Sequence, residues 1–575
     1  MFRKLLPCIG KYKKYAILTP IFVVIEVVLE VFIPFLMSKI VDVGIKNSDV
    51  EFIIRTGFIM VIMAILALGF GALHGRFAAV ASVGFAKGVR KKLFDKIQDF
   101  SFSNIDKFTT PSLVTRLTTD VTNTQHSFMM VIRILVRAPI MLISATIISI
   151  TINPDLSLIF LFAIPLLGFT LYFVASNAFP RFKMMLKAYD KMNASVQENL
   201  IAIRTVKAFV REDFENDKFI DAADTVRLAQ KKAEKLIVWT MPVMQFVMYA
   251  CIMAVSWFGG NMIINQRMTS GELLSYITYS TQILVSLMMI SFVFVNIVLS
   301  RASISRILEI FDEKIDIDDK ESNNELTVKN GSIVFDNVSF SYSKDKNNLT
   351  LESCNFTVKS GETIGIIGGT GSSKTTLVQL IPRLYDVLEG RILVGGHDVK
   401  EYSLKVLRDA VAMVLQKNVL FSGTIKENLK WGNENATDEE IIEACKIAQA
   451  YDFIMSFPNG FETELGQGGV NLSGGQKQRL TIARALLKKP KILILDDSTS
   501  AVDTETDRKI RHNLKENVSD TTVIIIAQRI SSVSDADKII VLDDGKINAI
   551  GTHEELLKTN SIYKEVYESQ KKGVA

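Results

Sequence analysis

The amino-acid sequence predicts an α-helical membrane domain with about six transmembrane helices that extend into the cytoplasm, followed by an α/β domain with a phosphate-binding loop. Three observations predict this. Long apolar segments fill the first half, strand-like runs alternate with helical stretches in the second, and a glycine-rich loop follows one of those strands. With 575 residues the chain is too long for one hydrophobic core. We predict a membrane domain at 1–310, a polar linker at 311–331 and the α/β domain at 332–575.

Composition excludes some classes of protein. Hydrophobic residues make up 48% of the chain and the mean hydropathy of +0.26 is high for a soluble protein. Four cysteines lie far apart without metal-ligand spacing, which favours reduced thiols. The net charge of +5 is modest for this length and no basic-aromatic stripe accompanies it, so nucleic acid is not an expected partner.

Six apolar segments are each long enough to span the hydrocarbon core of a bilayer. In chain order they are Ala16–Ile40, Phe52–Val80, Phe128–Ile152, Leu156–Phe179, Leu236–Ile264 and Leu273–Leu299. No small-residue cleavage site follows a short apolar core near the N-terminus, so the first segment is predicted to be a transmembrane helix and not a signal peptide.

The segments that connect these spans alternate in length and charge. Three are short, whereas 82–127 and 180–235 are long and rich in Lys and Arg. The positive-inside rule therefore places both long segments and the N-terminus in the cytoplasm. Each keeps a helical pattern with a break, near Ser103–Thr110 and Val210–Asn216. These breaks are candidate contact points for a cytoplasmic domain.

Charged residues interrupt two of the apolar segments. Glu26 and Glu30 lie one helical turn apart in the first span and so share a face. Intramembrane carboxylates are costly and suggest function, here a cavity wall that attracts cationic or amphipathic compounds; the alternative is a hydrogen-bonded structural pair. Arg133 and Arg137 share a face of the third span, where we expect them to lie near the interface and snorkel.

The stretch "IGIIGGTGSSKTTL" has the strand–loop–helix context of a phosphate-binding loop. Backbone N–H groups of the loop are expected to face phosphate oxygens, Lys374 to reach the outer phosphates and Thr375 to ligate Mg²⁺. The consensus has glycine before the lysine, where this chain has Ser373. The other loop residues predicted to bind nucleotide are Gly368, Gly369, Thr370, Gly371, Ser372 and Thr376.

Two later motifs support a nucleotide site. "KILILDD" is an apolar strand that ends in Asp496 and Asp497, and a carboxylate there is placed to hold hydrated Mg²⁺. In "NLSGGQKQRL", a short polar and glycine-rich run opens a helix whose N-terminus can bind phosphate. Its residues predicted to contact nucleotide are Ser473, Gly474, Gly475 and Gln476.

At this point the sequence resembles the nucleotide-binding domain of ABC transporters, because an intact LSGGQ between the phosphate loop and the aspartate strand is highly specific for that family. The resemblance implies ATP and Mg²⁺ as cofactors, Tyr342 as the aromatic that stacks on adenine, and Gln416 as a residue that touches Mg²⁺. It also implies that the loop Ser498–Asp503 contacts an opposite subunit, with Asp503 among the catalytic residues.

Six spans followed by one such domain look like an exporter half-transporter. The resemblance implies a bacterial plasma-membrane protein with a cytoplasmic nucleotide-binding domain, a second half-transporter as partner, and small amphipathic substrates. Hydrophobic or cationic drugs are the expected class, with a lipid or peptide exporter as the alternative. A soluble ATPase and a regulatory membrane subunit are rival interpretations.

Three departures from the family pattern fall on one ATP site. Ser373 replaces the loop glycine, Asp497 replaces the glutamate that acts as general base, and Gln528 replaces the switch histidine. Aspartate is shorter by about 1.5 Å, and a misplacement of that order costs roughly 10²-fold in rate. The sequence is therefore similar to the degenerate-site subunit of bacterial heterodimeric multidrug exporters: this site is expected to turn over slowly, while the intact LSGGQ completes a faster site on the partner.

A further departure lies in "TELGQGG". Gln467 and Gly468 stand where exporters carry Glu-Arg in the loop that contacts the membrane domain. This puts the detail of that coupling contact in doubt.

Overall fold

The computed structural model describes residues 2–319, 322–323, 325–498 and 501–572. The chain forms two compact units. The first unit comprises the chain up to Gln98 together with Thr110–Glu313, and the second comprises Asp99–Thr109 and the chain from Lys314 onward. The predicted linker includes residues 320, 321 and 324, which lie outside the described residues. The linear boundaries at 310 and 332 therefore stay predictions.

Helices form the chain up to Glu313. A 3₁₀ segment at Leu6–Tyr12 and π-helical turns at Ile40–Ile45 and Arg116–Asp120 adjoin the α-helices. The α-helices are α1 (Phe2–Leu5), α2 (Lys13–Lys39), α3 (Val50–Gln98), α4 (Phe102–Phe108), α5 (Thr110–Thr115), α6 (Val121–Ile152), α7 (Pro154–Ile201), α8 (Ile203–Ala208), α9 (Glu212–Val238), α10 (Thr240–Ile264) and α11 (Ser270–Asp312).

Six helical segments of the described chain are long and apolar enough to cross a membrane, which confirms the prediction. They are Leu6–Ile45, Val50–Gln98, Thr110–Ile152, Pro154–Ile201, Glu212–Ile264 and Ser270–Asp312. Helix α3 alone has 49 residues, which at 1.5 Å per residue is about 70 Å, far more than the hydrocarbon thickness of about 30 Å. The spanning helices therefore extend well beyond a bilayer, as the sequence predicted.

Local signals explain where these helices begin. The Asn153 side chain accepts a hydrogen bond from the Leu156 N–H and Pro154 occupies the first turn, so α7 starts directly after the short loop. Thr269 and Glu272 form a reciprocal capping box at the start of α11. The predicted breaks contain residues with positive φ, Thr109 at 58° and Val210 at 51°, which interrupt regular helix.

The second unit contains an α/β domain, as predicted. Its strands are β1 (Ile333–Phe340), β2 (Leu351–Val358), β3 (Thr363–Ile367), β4 (Glu389–Val394), β5 (His397–Asp398), β6 (Val411–Val414), β7 (Gly423–Thr424), β8 (Glu464–Leu465), β9 (Ile492–Asp496), β10 (Thr522–Ile526), β11 (Lys538–Asp543) and β12 (Lys546–Gly551). Its helices after α4 are α12 (Lys374–Gln379), α13 (Leu404–Ala410), α14 (Ile425–Lys430), α15 (Asp438–Ile447), α16 (Tyr451–Met455), α17 (Gly474–Leu487), α18 (Thr504–Asn517), α19 (His553–Thr559) and α20 (Ser561–Lys572).

The main sheet has the order β12-β11-β3-β10-β9-β6, and all neighbours pair in parallel except β12 with β11. Strands β9 and β10 are buried along their whole length, because the sheet is covered on both faces, which explains their continuous apolar sequence. A separate antiparallel sheet has the order β2-β1-β4-β5.

This strand order determines where the site lies. Strands β3, β10, β9 and β6 are consecutive parallel neighbours, so the segments that follow them emerge at the same edge of the sheet. Those segments carry the glycine-rich loop, Gln528, Asp497 and Gln416. Four motifs separated by up to about 160 residues in sequence therefore meet at one edge.

Candidate nucleotide site

The glycine-rich loop joins the end of β3 to the start of α12. At Gly368 an added Cβ would lie 2.2 Å from the Leu542 carbonyl oxygen and 2.5 Å from Ser372 Oγ, so only glycine fits. Gly371 has φ +86°, a conformation that side chains rarely adopt. The loop is thus tightly turned by two glycines whose roles are steric and conformational.

Ser373 occupies the position where the consensus has glycine, and its backbone conformation explains why glycine is preferred there. It lies at φ 69° and ψ 25°, in the left-handed region, immediately before α12. A residue with a Cβ is less favourable there by roughly 1–2 kcal/mol. The departure from consensus therefore places a strained residue at the turn from the loop into the helix.

Lys374 is held by the loop that precedes it. Its Nζ donates to the carbonyl oxygens of Gly368 at 2.9 Å and Gly369 at 2.7 Å, and lies 3.3 Å from Ser372 Oγ. Burial lowers the pKa of Lys374, and the carboxylates of Asp497 and Asp496 oppose this shift. The ammonium group is therefore located within the loop, between its carbonyl groups and the aspartates.

Asp496 and Thr375 form the pair predicted to hold Mg²⁺. The Thr375 hydroxyl donates to Asp496 Oδ1 at 3.0 Å, and Asp496 is 1% exposed. Burial and the neighbouring Asp497 raise the pKa of Asp496, while Thr375 and Lys374 lower it. Among the described residues, Asp496 Oδ2 has no hydrogen-bond partner. A buried carboxylate oxygen of this kind, next to a hydroxyl, fits a hard divalent cation.

Asp497 lies at the point where the two predicted glutamines converge. Gln528 Nε2 donates to Asp497 Oδ2 at 3.0 Å, and Gln416 Nε2 lies 3.5 Å from the same oxygen. The backbone N–H of Asp497 donates to the Ile526 carbonyl, and its φ is 47°. Two neutral amides, from the segments that follow β10 and β6, therefore contact the Asp497 carboxylate.

Tyr342 lies beside the loop helix α12. Its hydroxyl and Thr376 Oγ1 are 3.0 Å apart, and half of the residue is exposed. The ring meets Tyr385 edge-on, with centroids 5.2 Å apart. Tyr385 in turn donates to Asp106 of α4 at 2.7 Å. Sequence reasoning missed Tyr385 and Asp106, because no local pattern relates residues so far apart.

The LSGGQ segment is built separately from the loop. Ser473 and Gln476 form a capping box that starts α17. A Cβ at Gly475 would lie 2.9 Å from the Ala501 carbonyl, so this glycine permits close packing. No hydrogen bond between Ser473–Gln476 and the phosphate loop occurs within the described part of the chain. The two nucleotide-binding segments therefore do not form one site by direct contact.

The loop Ser498–Asp503 leads from β9 into α18. Asp503 caps α18 by accepting from the Thr506 N–H at 2.9 Å, and hydrogen bonds to Thr506 lower its pKa. Ala501 N–H donates to Gln478 at 3.1 Å. Residues 499 and 500 of this predicted contact loop lie outside the described residues.

In the first unit, Glu26 and Glu30 form ion pairs. Arg137 Nη1 lies 2.7 Å from Glu26, and Arg137 Nη2 lies 2.7 Å from Glu30. Glu26 also lies 2.7 Å from His74 Nε2. Arg137 thus pairs with both carboxylates, which differs from the snorkelling expected for it. No pattern in the sequence indicated His74.

Sequence comparison assigns both halves of the chain. Residues 16–288 match the ABC transporter transmembrane region, and residues 351–500 match the ABC transporter nucleotide-binding family, described as "ABC transporter". The chain belongs to the ABC transporter family. Its six spanning helices and phosphate-loop domain are the two parts that this family joins in one half-transporter.

Relatives of this ABC transporter are similar along nearly their whole length. YfiB of Bacillus subtilis, an uncharacterized ABC transporter ATP-binding protein, is 39% identical over 99% of this chain and 98% of its own. YgaD of the same organism, a putative multidrug export ATP-binding/permease protein, is 32% identical over 99% of both chains. The ATP-dependent lipid A-core flippase of Desulfotalea psychrophila is 35% identical over 93% of both.

Among solved structures, a bacterial Atm1-family ABC exporter with ATP bound is similar to this ABC transporter, with a TM-score of 0.85 and 26% identity over 98% of this chain and 99% of that one. The chain is therefore an ATP-driven ABC exporter subunit, a multi-pass membrane protein that binds ATP and belongs to a family of transport ATPases.

Proposed function

We propose that this chain is the degenerate-site half of a heterodimeric exporter in the bacterial plasma membrane, and that the complex exports hydrophobic or cationic amphipathic compounds. The observation that carries the proposal is the convergence of three departures on one site. Ser373 is strained at the end of the phosphate loop, and Gln528 donates to Asp497 where the family pattern has histidine and glutamate.

The site retains the groups that bind nucleotide. Lys374 and the loop N–H groups would hold the phosphates, the Tyr342 ring would stack on adenine, and Thr375, Gln416 and Asp496 would hold Mg²⁺. When bound, Mg²⁺ would neutralise charge on the phosphate oxygens. The unpartnered Asp496 oxygen and the adjacent Thr375 hydroxyl support this assignment. ATP binding is thus expected at this site.

The same site is poorly equipped for hydrolysis. The Asp497 carboxylate is shorter than glutamate by about one C–C bond, so a water that it holds lies off the optimal position by about 1.5 Å. Gln528 donates a hydrogen bond but cannot carry a protonated charge toward a γ-phosphate. Gln416 also donates to Asp497, so two amides occupy the same carboxylate oxygen. We therefore propose slow turnover here.

The faster site would be completed on the partner. Ser473 caps α17, which Gly474, Gly475 and Gln476 begin, and all four residues match the family pattern without change. Asp503 lies in the loop expected to face the partner. A homodimer would contain two ATP sites with the same three departures, and both would turn over slowly. We therefore propose a heterodimer.

The basic segments of the membrane domain support a proposed orientation in the membrane, and two turns are proposed to couple the ATP site to the membrane domain. The basic segments at 82–127 and 180–235 support a cytoplasmic N-terminus and a cytoplasmic nucleotide-binding domain. The segment Asp99–Thr109 groups with the second unit although it lies between helices of the first unit in sequence, and we propose that it couples changes at the ATP site to the membrane domain. The turn near Val210 is the second proposed contact point. Its exposed Phe209 and Val210 side chains are consistent with a partner that covers them.

The relatives support two substrate classes. One is named as a putative multidrug exporter and another as a lipid A-core flippase. Exposed Phe, Met and Trp side chains of α10, such as Phe246, Met253 and Trp257, suit varied apolar substrates. A lipid exporter is the second candidate, favoured by the flippase relative. Glu26 and Glu30 stay proposed members of the substrate cavity wall.

Purification of the native complex tests the proposal. The chain is tagged in its own host and the subunits of the purified exporter are identified by mass spectrometry. We expect a second half-transporter with a glutamate after its strand aspartate. ATP turnover should then depend on that glutamate more than on Asp497. A fully active homodimer of this chain would overturn the heterodimer, and stimulation by lipids alone would favour the second substrate class.

A further inference from the structure

A charge cluster that is buried at Glu26 and His74 and partly exposed at Glu30 and Arg137 connects three spanning helices of the first unit. It contains Glu26 and Glu30 of α2, His74 of α3 and Arg137 of α6. We propose that Glu26 and His74 form a proton-binding site, and that its occupancy is linked to the ion pair between Arg137 and Glu26. This goes beyond export and does not depend on whether the ATP site is degenerate.

The site is built into the helix packing. Glu26 lies near the middle of α2 and is 8% exposed, while His74 is 2% exposed. At Gly71, one turn before His74, an added Cβ would lie 3.0 Å from Glu26 Oε1, so the missing side chain makes room for the carboxylate. Burial of ionisable groups at this depth is costly unless they are paired.

The hydrogen count shows where a proton can bind. Glu26 Oε2 and His74 Nε2 are 2.7 Å apart, within ion-pair distance, but they do not have the geometry of a regular hydrogen bond. The other ring nitrogen, His74 Nδ1, is buried and has no hydrogen-bond partner among the described residues. A second proton would convert the ring to imidazolium. The neutral ring therefore carries one proton and can gain or lose a second, with Nε2 2.7 Å from the Glu26 carboxylate.

The charge count shows what the second proton does. The charged groups that interact electrostatically with His74 are Glu26 of α2 and Arg133 and Arg137 of α6. Glu30 joins the cluster through its ion pair with Arg137. With a neutral imidazole the two carboxylates and two guanidinium groups sum to zero. A second proton adds one positive charge beside Arg137, and Glu26 then has two cations competing for it.

This competition links protons to helix contacts. The Arg137–Glu26 pair joins α6 to α2, whereas the His74–Glu26 pair joins α3 to α2. A movement that withdraws Arg137 leaves Glu26 to the imidazolium and favours proton uptake, and its return favours release. Because such linkage is reciprocal, protons also bias the contact between α6 and α2. An exporter that rearranges these helices in each cycle would exchange a proton as it does so.

Proton exchange on trapping tests this directly. The complete exporter is placed in lipid nanodiscs and trapped with ATP and orthovanadate, and proton uptake is measured by calorimetry in buffers of different ionisation enthalpy. We expect a nucleotide-dependent exchange of up to about one proton per chain that His74→Gln abolishes. Glutamine can still donate to Glu26 but does not titrate. The matched control is His512→Gln on α18, whose side chain is largely exposed; it should leave the exchange unchanged.

A measurement on the unaltered protein decides the matter if His74→Gln does not assemble. Deuterium exchange at the ring carbon of histidine, followed by mass spectrometry across pH, reports the protonation midpoint of the peptide that contains His74. We expect the midpoint to shift between the resting and the trapped exporter. Equal proton exchange in the wild type and His74→Gln, or identical midpoints in the two states, would overturn the proposal.

Discussion

The hydroxyl group of Tyr385 donates a 2.7 Å hydrogen bond to the Asp106 carboxylate, and the Tyr385 ring meets Tyr342 edge-on at 5.2 Å. Burial, together with the hydrogen bond to Asp106, raises the pKa of Tyr385 well above its usual range, so the phenol stays a donor. Phe102 of α4 adds a second edge contact to Tyr385 at 6.0 Å. The segment 99–109 is thereby in contact with Tyr385, which packs against the Tyr342 ring that we propose stacks on adenine.

Tyr385 should therefore affect ATP binding and coupling separately. Loss of the ring in Tyr385→Ala should raise the KM for ATP about two- to tenfold, because an aromatic edge contact contributes about 0.5–1.5 kcal/mol. Tyr385→Phe keeps the ring but loses the bond to Asp106, so the KM should hold while substrate-stimulated turnover falls. The control is Tyr402→Phe, which loses a 2.8 Å hydrogen bond to Val394 within the same unit. Equal KM changes in all three variants would contradict this role.

Ser373→Gly should tighten ATP binding. Glycine adopts the left-handed conformation at this position without steric cost and lets the backbone approach phosphate. We expect an increase in affinity of up to about fivefold, equivalent to about 1 kcal/mol. Binding of a fluorescent ATP analogue to the purified exporter measures the change. Ser353→Gly on β2 is the matched control, since Ser353 also has a positive φ, 48°, and lies outside the phosphate loop. Unchanged affinity would show that the strain does not oppose nucleotide binding.

Restoration of the hydrolytic groups should accelerate this site. The double variant Asp497→Glu with Gln528→His supplies the longer carboxylate and a titratable switch residue. In a complex whose partner site has been inactivated, single-turnover hydrolysis should rise by at least about tenfold. Asp497→Asn should lower the residual rate or leave it near background. A native rate that already equals that of the double variant would show that the site is not degenerate.

The LSGGQ segment should matter more for total turnover than the chain's own base. Ser473→Ala removes a side chain predicted to bind nucleotide on the partner site, and we expect a larger loss of steady-state ATPase activity than Asp497→Asn causes. Ser473 also caps α17, which by itself is worth about 1 kcal/mol of stability. Thr437→Ala removes an equivalent capping box at α15 and controls for that loss. The reverse ranking of activities would argue against the assignment of roles.

Arg137→Gln should destabilise the first unit. It leaves Glu26 and Glu30 without their guanidinium partner in a largely buried setting, and removal of one partner of a buried pair costs about 3–5 kcal/mol. Thermal inactivation in detergent should occur at a clearly lower temperature. Arg133→Gln, an exposed residue one turn away, should change little. Partial rescue by Glu30→Gln in the Arg137→Gln background would identify the unpaired charge as the cause.

The sequence predicted much of the architecture because its signals are local. Apolar length identified the six spans, and glycine and LSGGQ spacing identified the nucleotide-binding domain. The residues after β3, β6, β9 and β10 were recognised one motif at a time, and their meeting at one sheet edge follows from the strand order. The proposed slow turnover at Asp497 and Gln528 stays a prediction from residue types.

Contacts between residues that are distant along the chain could not be predicted from the sequence. Glu26 and Glu30 were identified as a pair on one face, but their partners Arg137 and His74 lie on two other helices, and helical periodicity carries no information about which helices pack together. Likewise the left-handed φ of Ser373, and the contact of Tyr385 with Asp106, depend on how remote segments pack.

The sequence by itself determined the family and the two-part organisation, and it predicted the residues of the ATP site, since these depend on composition, periodicity and the spacing of short motifs. Only the tertiary structure decided that two amides converge on Asp497, that the membrane carboxylates share one guanidinium group, and that the His74 imidazole lies beside Glu26. The physical reason is that hydrogen bonds and ion pairs act over about 3 Å in space, whatever the separation of the residues along the chain.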